Sequence, residues 1–279
     1  MDADIRGLLL PVPTASDDKY TRGTVGFVTG SERYPGAALL GVSAAQATSV
    51  GFVRYLGPRR VGDLLLLSHP EVVVSETPET TGPAQCWVLG SGIPGLQDPQ
   101  AQNAAKILEL ADVAVIDAGG LDLIQRAEAT PVGHHLLTPH QGELCRLLNR
   151  LELGFWHPEK LDDPRQASAA VALAAEATGH TVLLKGSVTR IAAANGETIE
   201  VGPNSPWLAT AGTGDVLAGL LGGIAAQNPA VAAANWLDIA ALAIEVHSSA
   251  AELAAESGAV TASSVASAIS QALRQRFPR

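Results

Sequence analysis

The sequence predicts an α/β fold with a central, mostly parallel sheet flanked by helices and an antiparallel hairpin near Asn195-Gly196. Three observations predict it. Residues 24–29, TVGFVT, are a β-rich run that closes on Gly30-Ser31 and leads into an Ala-rich helix over 36–49, a strand–turn–helix unit. Residues 113–116 are wholly apolar and end in Asp117, the pattern of a parallel strand buried on both faces. Residues 188–194 and 198–201 flank Asn195-Gly196, the commonest two-residue hairpin turn, so the sheet acquires an antiparallel end.

The other elements follow in order. Apolar runs at 52–56, 72–74 and 87–89 read as strands, the last closing on Gly90-Ser91-Gly92. Residues 97–110 read as a helix. A strand at 135–137 runs into Thr138-Pro139-His140-Gln141-Gly142-Glu143 and a helix to about Arg150, with Thr138 as its cap and Pro139 in its first turn, or with His140 as its cap. A helix over 164–178 precedes a strand at 182–184 that ends at Lys185. A loop over 202–209 then leads to a glycine turn, and helices over 231–256 and 263–276 close the chain. Acids and glycines recur at strand C-termini, where open α/β sheets bind ligands. No repeat, charge block or linker divides the sequence; residues 156–164 read as an exposed excursion, and a single domain over 1–279 is expected.

Composition narrows the function classes. With 47% hydrophobic and 16% charged residues in 279, the chain is a well-buried globular protein, and its Ala and Gly excess points to closely packed helices. A net charge of −10, with 18 Lys and Arg, argues against nucleic acid as a partner. No uninterrupted apolar run reaches membrane-spanning length, and MDADIRGLLLPVPTAS carries acids where a secretion signal carries bases. Cys86 and Cys145 lack metal-ligand spacing and read as buried free thiols, so a cytoplasmic protein is expected. His134 and His135 read as strand-edge or surface residues, and His247 as a helix-packing or interface residue.

The chain is organised around residues 209–227, ATAGTGDVLAGLLGGIAAQ. Gly212 and Gly214 flank Thr213, Asp215 follows at once, and apolar residues then recur at helical spacing. Such a turn at a helix N-terminus presents free N–H groups and the positive end of the helix dipole to a phosphate or a developing anion. Nearby N–H groups favour the ionised form of Asp215. Taken alone, the motif is equally an ordinary capped helix start, and a strand-end lysine such as Lys185 is more often a solvated charge. LKGSVT at 184–189, TPHQGE at 138–143 and AGTGD at 211–215 are more specific together than any one of them.

The succession of a strand, GSxxYPGAALL, a glycine loop, TPHxxE, KGxxT and AGTGDVLAG resembles the ribokinase-like superfamily. Within it, the chain is similar to the ADP/ATP-dependent NAD(P)H-hydrate dehydratases from about Lys19 to the last helix. The resemblance implies a lyase that repairs the 6-hydroxylated forms of NADH and NADPH, using ADP or ATP with Mg2+. It implies Asp215 as the catalytic residue, also touching substrate, with Ala37, Gly92 and His140 lining the hydrate pocket. Lys185, Gly186, Ser187, Val188, Thr189 and Gly214 would contact the nucleotide, and Gly212, Thr213 and Gly214 would form the turn that receives phosphoryl charge. Glu143 would order a water on magnesium. It implies a homo-oligomer, a tetramer among the expected assemblies, with 231–256 and 263–276 as contact surfaces. These residues hold no room for the hydrate epimerase domain of some relatives, so a separate epimerase is the expected functional partner.

Two departures stand out, the lesser being Gly51-Phe52-Val53, where a more glycine-rich stretch is usual. Family members commonly read Asp-Ala-Asp-Ala-Leu after the central strand, whereas this chain reads Asp117-Ala118-Gly119-Gly120-Leu121 and lacks the second acid. Related vitamin kinases share AGTGD but typically carry Asn where this chain has His140. That histidine argues against a vitamin-precursor kinase, which stays as the alternative, and the missing acid at Gly119 keeps a nucleotide-binding protein without turnover as a second.

Overall fold

Short runs rich in Val, Ile and Leu become strands, and the Ala- and Leu-rich stretches between them become helices. The computed structural model describes residues 9–127 and 133–276, so most of the acid-bearing N-terminal stretch read for a signal lies outside the described residues. First come β1 (Thr24–Val28), α1 (Gly36–Gln46), β2 (Phe52–Leu56), α2 (Arg59–Ser68), β3 (Val73–Ser75) and a one-turn α3 (Pro78–Thr81). Next are β4 (Cys86–Leu89), α4 (Pro99–Leu108), β5 (Val113–Ile116), β6 (His134–Leu137), α5 (Gln141–Arg150), α6 (Pro164–Thr178) and β7 (Thr181–Leu184). The hairpin β8 (Thr189–Ala192) and β9 (Thr198–Val201) precedes α7 (Thr213–Gln227), α8 (Pro229–Ala234), α9 (Trp236–Ser257) and α10 (Ala262–Arg276).

The strands form one sheet in the order β3-β2-β1-β4-β5-β6-β7-β8-β9. The first seven are parallel and the last two antiparallel, as the Asn195-Gly196 turn predicts. The order reverses between β1 and β4, which opens a crevice at their C-terminal ends. Two apolar cores cover the faces, one including residues of α1, α7, α9 and α10 and the other residues of α4, α5 and α6.

α7 runs through the first of these cores. Its Val216, Leu217, Leu220, Leu221 and Ile224 are all buried. Burial is worth about 1.5–3 kcal/mol for each such side chain, more than the roughly 1 kcal/mol that each of Gly219, Gly222 and Gly223 costs in helix propensity. The glycines serve contact: a β-carbon on Gly219 would lie 2.0 Å from the Gly41 carbonyl of α1. The Ala and Gly excess thus does reflect close helix packing.

Several expectations need correction. α2 escaped the sequence reading because only Val61, Gly62 and Leu65 of its ten residues are buried, which leaves a faint apolar stripe. The helix expected over 231–256 is two helices, interrupted at Asn235, whose side chain accepts from Leu237 N–H and caps α9. The segment 156–164 is largely exposed, as expected, but it is pinned by the buried Trp156 and Leu161, and Trp156 Nε1 donates to the Leu153 carbonyl at 2.9 Å. His135 is buried on β6, one ring beside His180 at 4.8 Å between centroids, whereas His134 is exposed as expected. Much of α9 is spent inside the chain, with Ile239, Leu242, Ile244 and Val246 in the core, so it is a weaker contact surface than its composition indicates. Cys86 and Cys145 are free and buried, and no described helix is long and apolar enough to cross a membrane.

Candidate active site

Parallel strands deliver their C-terminal residues to one edge, and here four adjacent strands deliver a connected set. Ser91 follows β4, Asp117 follows β5, Thr138 follows β6 and Lys185 follows β7. Backbone bonds extend the ladder past the strand ends, with Asp117 N–H donating to the Leu89 carbonyl at 3.0 Å and Lys185 N–H to the Pro139 carbonyl at 2.9 Å. The side chains then converge on Asp117. Ser91 Oγ donates to its Oδ2 at 2.9 Å, Thr138 Oγ1 to its Oδ1 at 2.9 Å, and Lys185 Nζ to the same Oδ1 at 2.7 Å. A buried carboxylate so surrounded is fully satisfied.

Lys185 also lies 3.8 Å from Glu143 Oε2. Burial works against its ammonium, but the Asp117, Glu143 and Asp215 carboxylates outweigh that and raise its pKa above the ordinary lysine value. Glu143 shows the converse balance. Burial pushes its carboxyl up, yet hydrogen bonds from His140 and the Lys185 charge bring it below the usual carboxylate range.

His140 opens α5. Its Nδ1 accepts from the N–H groups of Gly142 at 3.0 Å and Glu143 at 3.3 Å, and Glu143 Oε2 accepts from the His140 N–H at 2.8 Å. That is a reciprocal capping box with histidine, not Thr138, in the capping position. The His140 ring remains half-exposed at the same edge, with both nitrogens engaged, Nδ1 in the cap and Nε2 3.2 Å from Glu143 Oε1.

The glycine turn faces this cluster. Gly212 caps α7 with φ of 91°, a left-handed conformation that glycine adopts without strain, and a β-carbon there would strike Leu40 Cδ1 at 2.7 Å. Thr213 Oγ1 is turned back to the carbonyls of Leu208 and Thr210, and its N–H reaches Thr210 O at 3.3 Å. Thr213 therefore shapes the turn, while Gly214 keeps an unpaired N–H in the first helical turn, beside Lys185. Asp215 departs from the sequence expectation. Burial is the main cause, and with the nearby Asp117 charge it lifts the carboxyl to about 6, although Lys185 and the nearby Ser91 hydroxyl pull the other way. The free N–H groups of one helix turn do not compensate for a desolvated carboxylate among like charges. A carboxyl of that affinity takes up and releases a proton near neutrality, the property of a general base.

Next to the turn is a cavity of about 410 Å3. Lys185, Gly186, Ser187, Thr189, Thr213 and Gly214 all line it, whereas Val188 is not among its lining residues. Ala37 and Gly92 stand together at the β1/β4 crevice, where a β-carbon on Gly92 would lie 2.7 Å from Ala37 Cβ. Gly92 directly follows Ser91, which links this crevice to Asp117. Sequence reading missed Asn204, whose Nδ2 donates to the Gly186 carbonyl at 2.8 Å and to Thr189 Oγ1 at 2.9 Å, clamping the KGSVT loop. It also missed His247, expected at a helix interface but set in the cavity wall. Neither has a local sequence signal, since both come from distant segments.

A mostly parallel sheet with this strand order and an antiparallel end is a fold of the ribokinase-like class. A ribokinase-like superfamily protein from Enterococcus faecalis V583 matches with TM-score 0.72 over 97% of this chain and 94% of that one, at 22% identity. An ADP/ATP-dependent NAD(P)H-hydrate dehydratase from Bacillus subtilis, co-crystallised with ATP/Mg2+, matches with TM-score 0.79 over 95% and 94% of the two chains, at 24% identity. Residues 25–274 match the family described as NAD(P)H-hydrate dehydratase, and the chain belongs to that family. The bifunctional NAD(P)H-hydrate repair enzyme Nnr of Mycobacterium tuberculosis is 40% identical over 78% of this chain and 44% of its own length. Its counterpart in Mycobacterium leprae is 37% identical over 91% and 52%. The chain thus spans about half the length of these curated relatives.

Proposed function

We propose that the protein dehydrates the 6-hydroxylated forms of NADH and NADPH, consuming ADP or ATP with Mg2+. The observation that supports this reading is Asp215, a carboxyl of near-neutral affinity at the α7 N-terminus, which directly follows Gly214 of the cavity wall and lies close to Ser91, the residue before Gly92. Hydroxide is a poor leaving group, and phosphorylation makes it a good one. Asp215 takes the proton of the substrate hydroxyl as its oxygen attacks the terminal phosphorus of the nucleotide, whose bond to the remaining nucleotide breaks. Loss of phosphate from that ring carbon and of a proton from its neighbour restores the double bond. The Gly214 N–H, the rest of the Gly212–Thr213–Gly214 turn and the Lys185 ammonium supply positive potential to the phosphoryl oxygens. Lys185 through Thr189 hold the phosphates, and His140 with Ala37 and Gly92 border the hydrate.

Magnesium bound with the nucleotide neutralises phosphate charge, and it ordinarily keeps several waters. The described residues contain no cluster of three side chains that would cage a metal. Both Glu143 oxygens lie within reach of His140 atoms, which suits Glu143 to a water of the ion rather than to the ion itself. Residues 1–279 act in this reading as one dehydratase domain in the cytoplasm, a setting compatible with its two free thiols. Homo-oligomers, a tetramer among them, and an epimerase supplied from outside these residues complete the proposal.

The decisive experiment adds purified protein to NADH hydrate with ADP or ATP and Mg2+ and follows the dihydronicotinamide absorbance. Recovery supports the reading, and no recovery with either nucleotide overturns it.

A further inference from the structure

The residues lining the cavity divide by chemistry. Lys185, Gly186, Ser187, Thr189 and Gly214 are the polar, phosphate-suited part, and Leu208, Ala209, Leu217 and Ile244 make an apolar part fit for a flat ring. Two lining side chains, Ser205 and His247, break that pattern. Ser205 is 7% exposed and His247 5%, and Ser205 Oγ and His247 Nε2 have no hydrogen-bond partner, although buried polar atoms are nearly always paired. Their neighbours are satisfied: the Ser205 N–H donates to Ser248 Oγ at 2.7 Å.

The imidazole has a defined polarity. Burial, opposed by a hydrogen bond to the Thr213 backbone and assisted by the Lys185 charge, lowers the pKa of His247 to about 4, so the ring is neutral at physiological pH. The bond to Thr213 favours the protonated ring, so the backbone group is the carbonyl and the ring donates. Nε2 is the unpartnered nitrogen, which leaves Nδ1 as the donor and Nε2 as a bare acceptor. A bare acceptor selects a donor and rejects another acceptor.

We propose that His247 is the residue by which the cavity tells a 6-amino purine from a 6-oxo purine, its Nε2 accepting from the exocyclic amine of adenine and opposing the 6-oxygen of hypoxanthine or guanine. Ser205 Oγ, which donates or accepts, supplies a second bond to the ring without discriminating. The ring that reads the base is the ring that holds Thr213, so base recognition and the position of the Gly212–Asp215 turn share one side chain. This inference rests on the nucleotide assignment proposed above and specifies which residue selects the base.

ADP and IDP differ at the purine 6-position and at N1, a bare acceptor in ADP and an N–H in IDP, and titration calorimetry with each measures the discrimination without turnover. Wild-type protein is expected to bind IDP about tenfold or more weakly than ADP, the scale of one unsatisfied buried hydrogen bond. H247L, which has no acceptor, should bring the ratio to within about threefold, chiefly by weakening ADP. H247Q, whose amide presents either a donor or an acceptor, should narrow the ratio while keeping a polar partner, and it serves if the leucine variant fails to fold. Equal binding of ADP and IDP by the wild type overturns the assignment of His247, as does an unchanged ratio in a folded variant. Both readings are separable in one set of measurements. Equal binding with hydrate repair intact removes His247 alone, and ADP preference with no repair removes the dehydratase activity alone. Failure to bind either nucleotide removes both.

Discussion

Lys185 Nζ stands 2.7 Å from Asp117 Oδ1, so the cation expected to meet phosphate is held by the acid at the end of β5, two strands away. The Asp117 side chain is 4% exposed and that of Lys185 21%. Breaking such a pair leaves a buried charge without its counterion. Lys185→Met should therefore destabilise the fold by about 3–5 kcal/mol in urea unfolding, as well as abolish nucleotide binding. Adding Asp117→Asn should recover part of that stability but none of the binding. A double variant no more stable than Lys185→Met would show that the pair is not coupled.

The pH dependence follows from Asp215. If it must be ionised to accept the hydroxyl proton, kcat/KM should rise about tenfold per pH unit at low pH and level off through about 6, the free-enzyme value. Asp117→Asn removes a negative charge that raises that value, so the acidic limb should move to lower pH while the plateau drops through the loss of the Lys185 anchor. A limb centred near 4 in the wild type would exclude Asp215 as the base.

How much of this was legible from the sequence depends on whether the deciding contacts are local. The parallel sheet, its antiparallel end and the strand ends bearing Lys185, Asp117 and Ser91 follow from short apolar runs and turn residues, because periodicity and turn chemistry are local. The sequence offers both Thr138 and His140 as caps of α5, and the assembled helix start gives the place to His140, a rare substitute for the usual capping side chains. Asp215 was read with the wrong direction of shift because burial and the Asp117 charge arise only when α7 and β5 are assembled. Asn204 and His247 were invisible for the same reason: their partners lie 15 or more residues away, and nothing in the residues around them marks the loop they clamp or the cavity they line.

Gly119, where relatives of this type commonly carry a second acid, cannot regain it by simple substitution. A β-carbon on Gly119 would lie 2.2 Å from the Ile93 carbonyl, backbone that a rotamer change does not relieve. The 3-10 turn over Ala118–Leu123 has adapted to glycine, and Asp117 alone carries the negative charge at the end of β5. Gly119→Asp is expected to destabilise by about 1–3 kcal/mol and to leave turnover unchanged or lower. An increase in kcat with stability intact would show that the missing acid limits turnover.

Asp215→Asn separates chemistry from folding. The variant keeps the shape of the side chain and loses the proton acceptor, so turnover should fall by about 10^2–10^4-fold with nucleotide affinity largely retained. Stability should move in the opposite direction. A carboxyl whose folded value is raised from 3.8 to about 6 disfavours the native state when ionised. That cost is absent below the unfolded value, grows as pH rises between the two, and is complete above the folded one. Removing the charge should thus stabilise the protein at pH 7–8 by on the order of 1–2 kcal/mol, with the difference from wild type vanishing toward pH 4. Urea unfolding at both pH values, paired with the absorbance assay, tests the two halves together. Loss of activity with a matching loss of stability at pH 8 would mean that Asp215 holds the turn together, whereas an inactive but more stable variant identifies a residue retained for its chemistry against the preference of the fold.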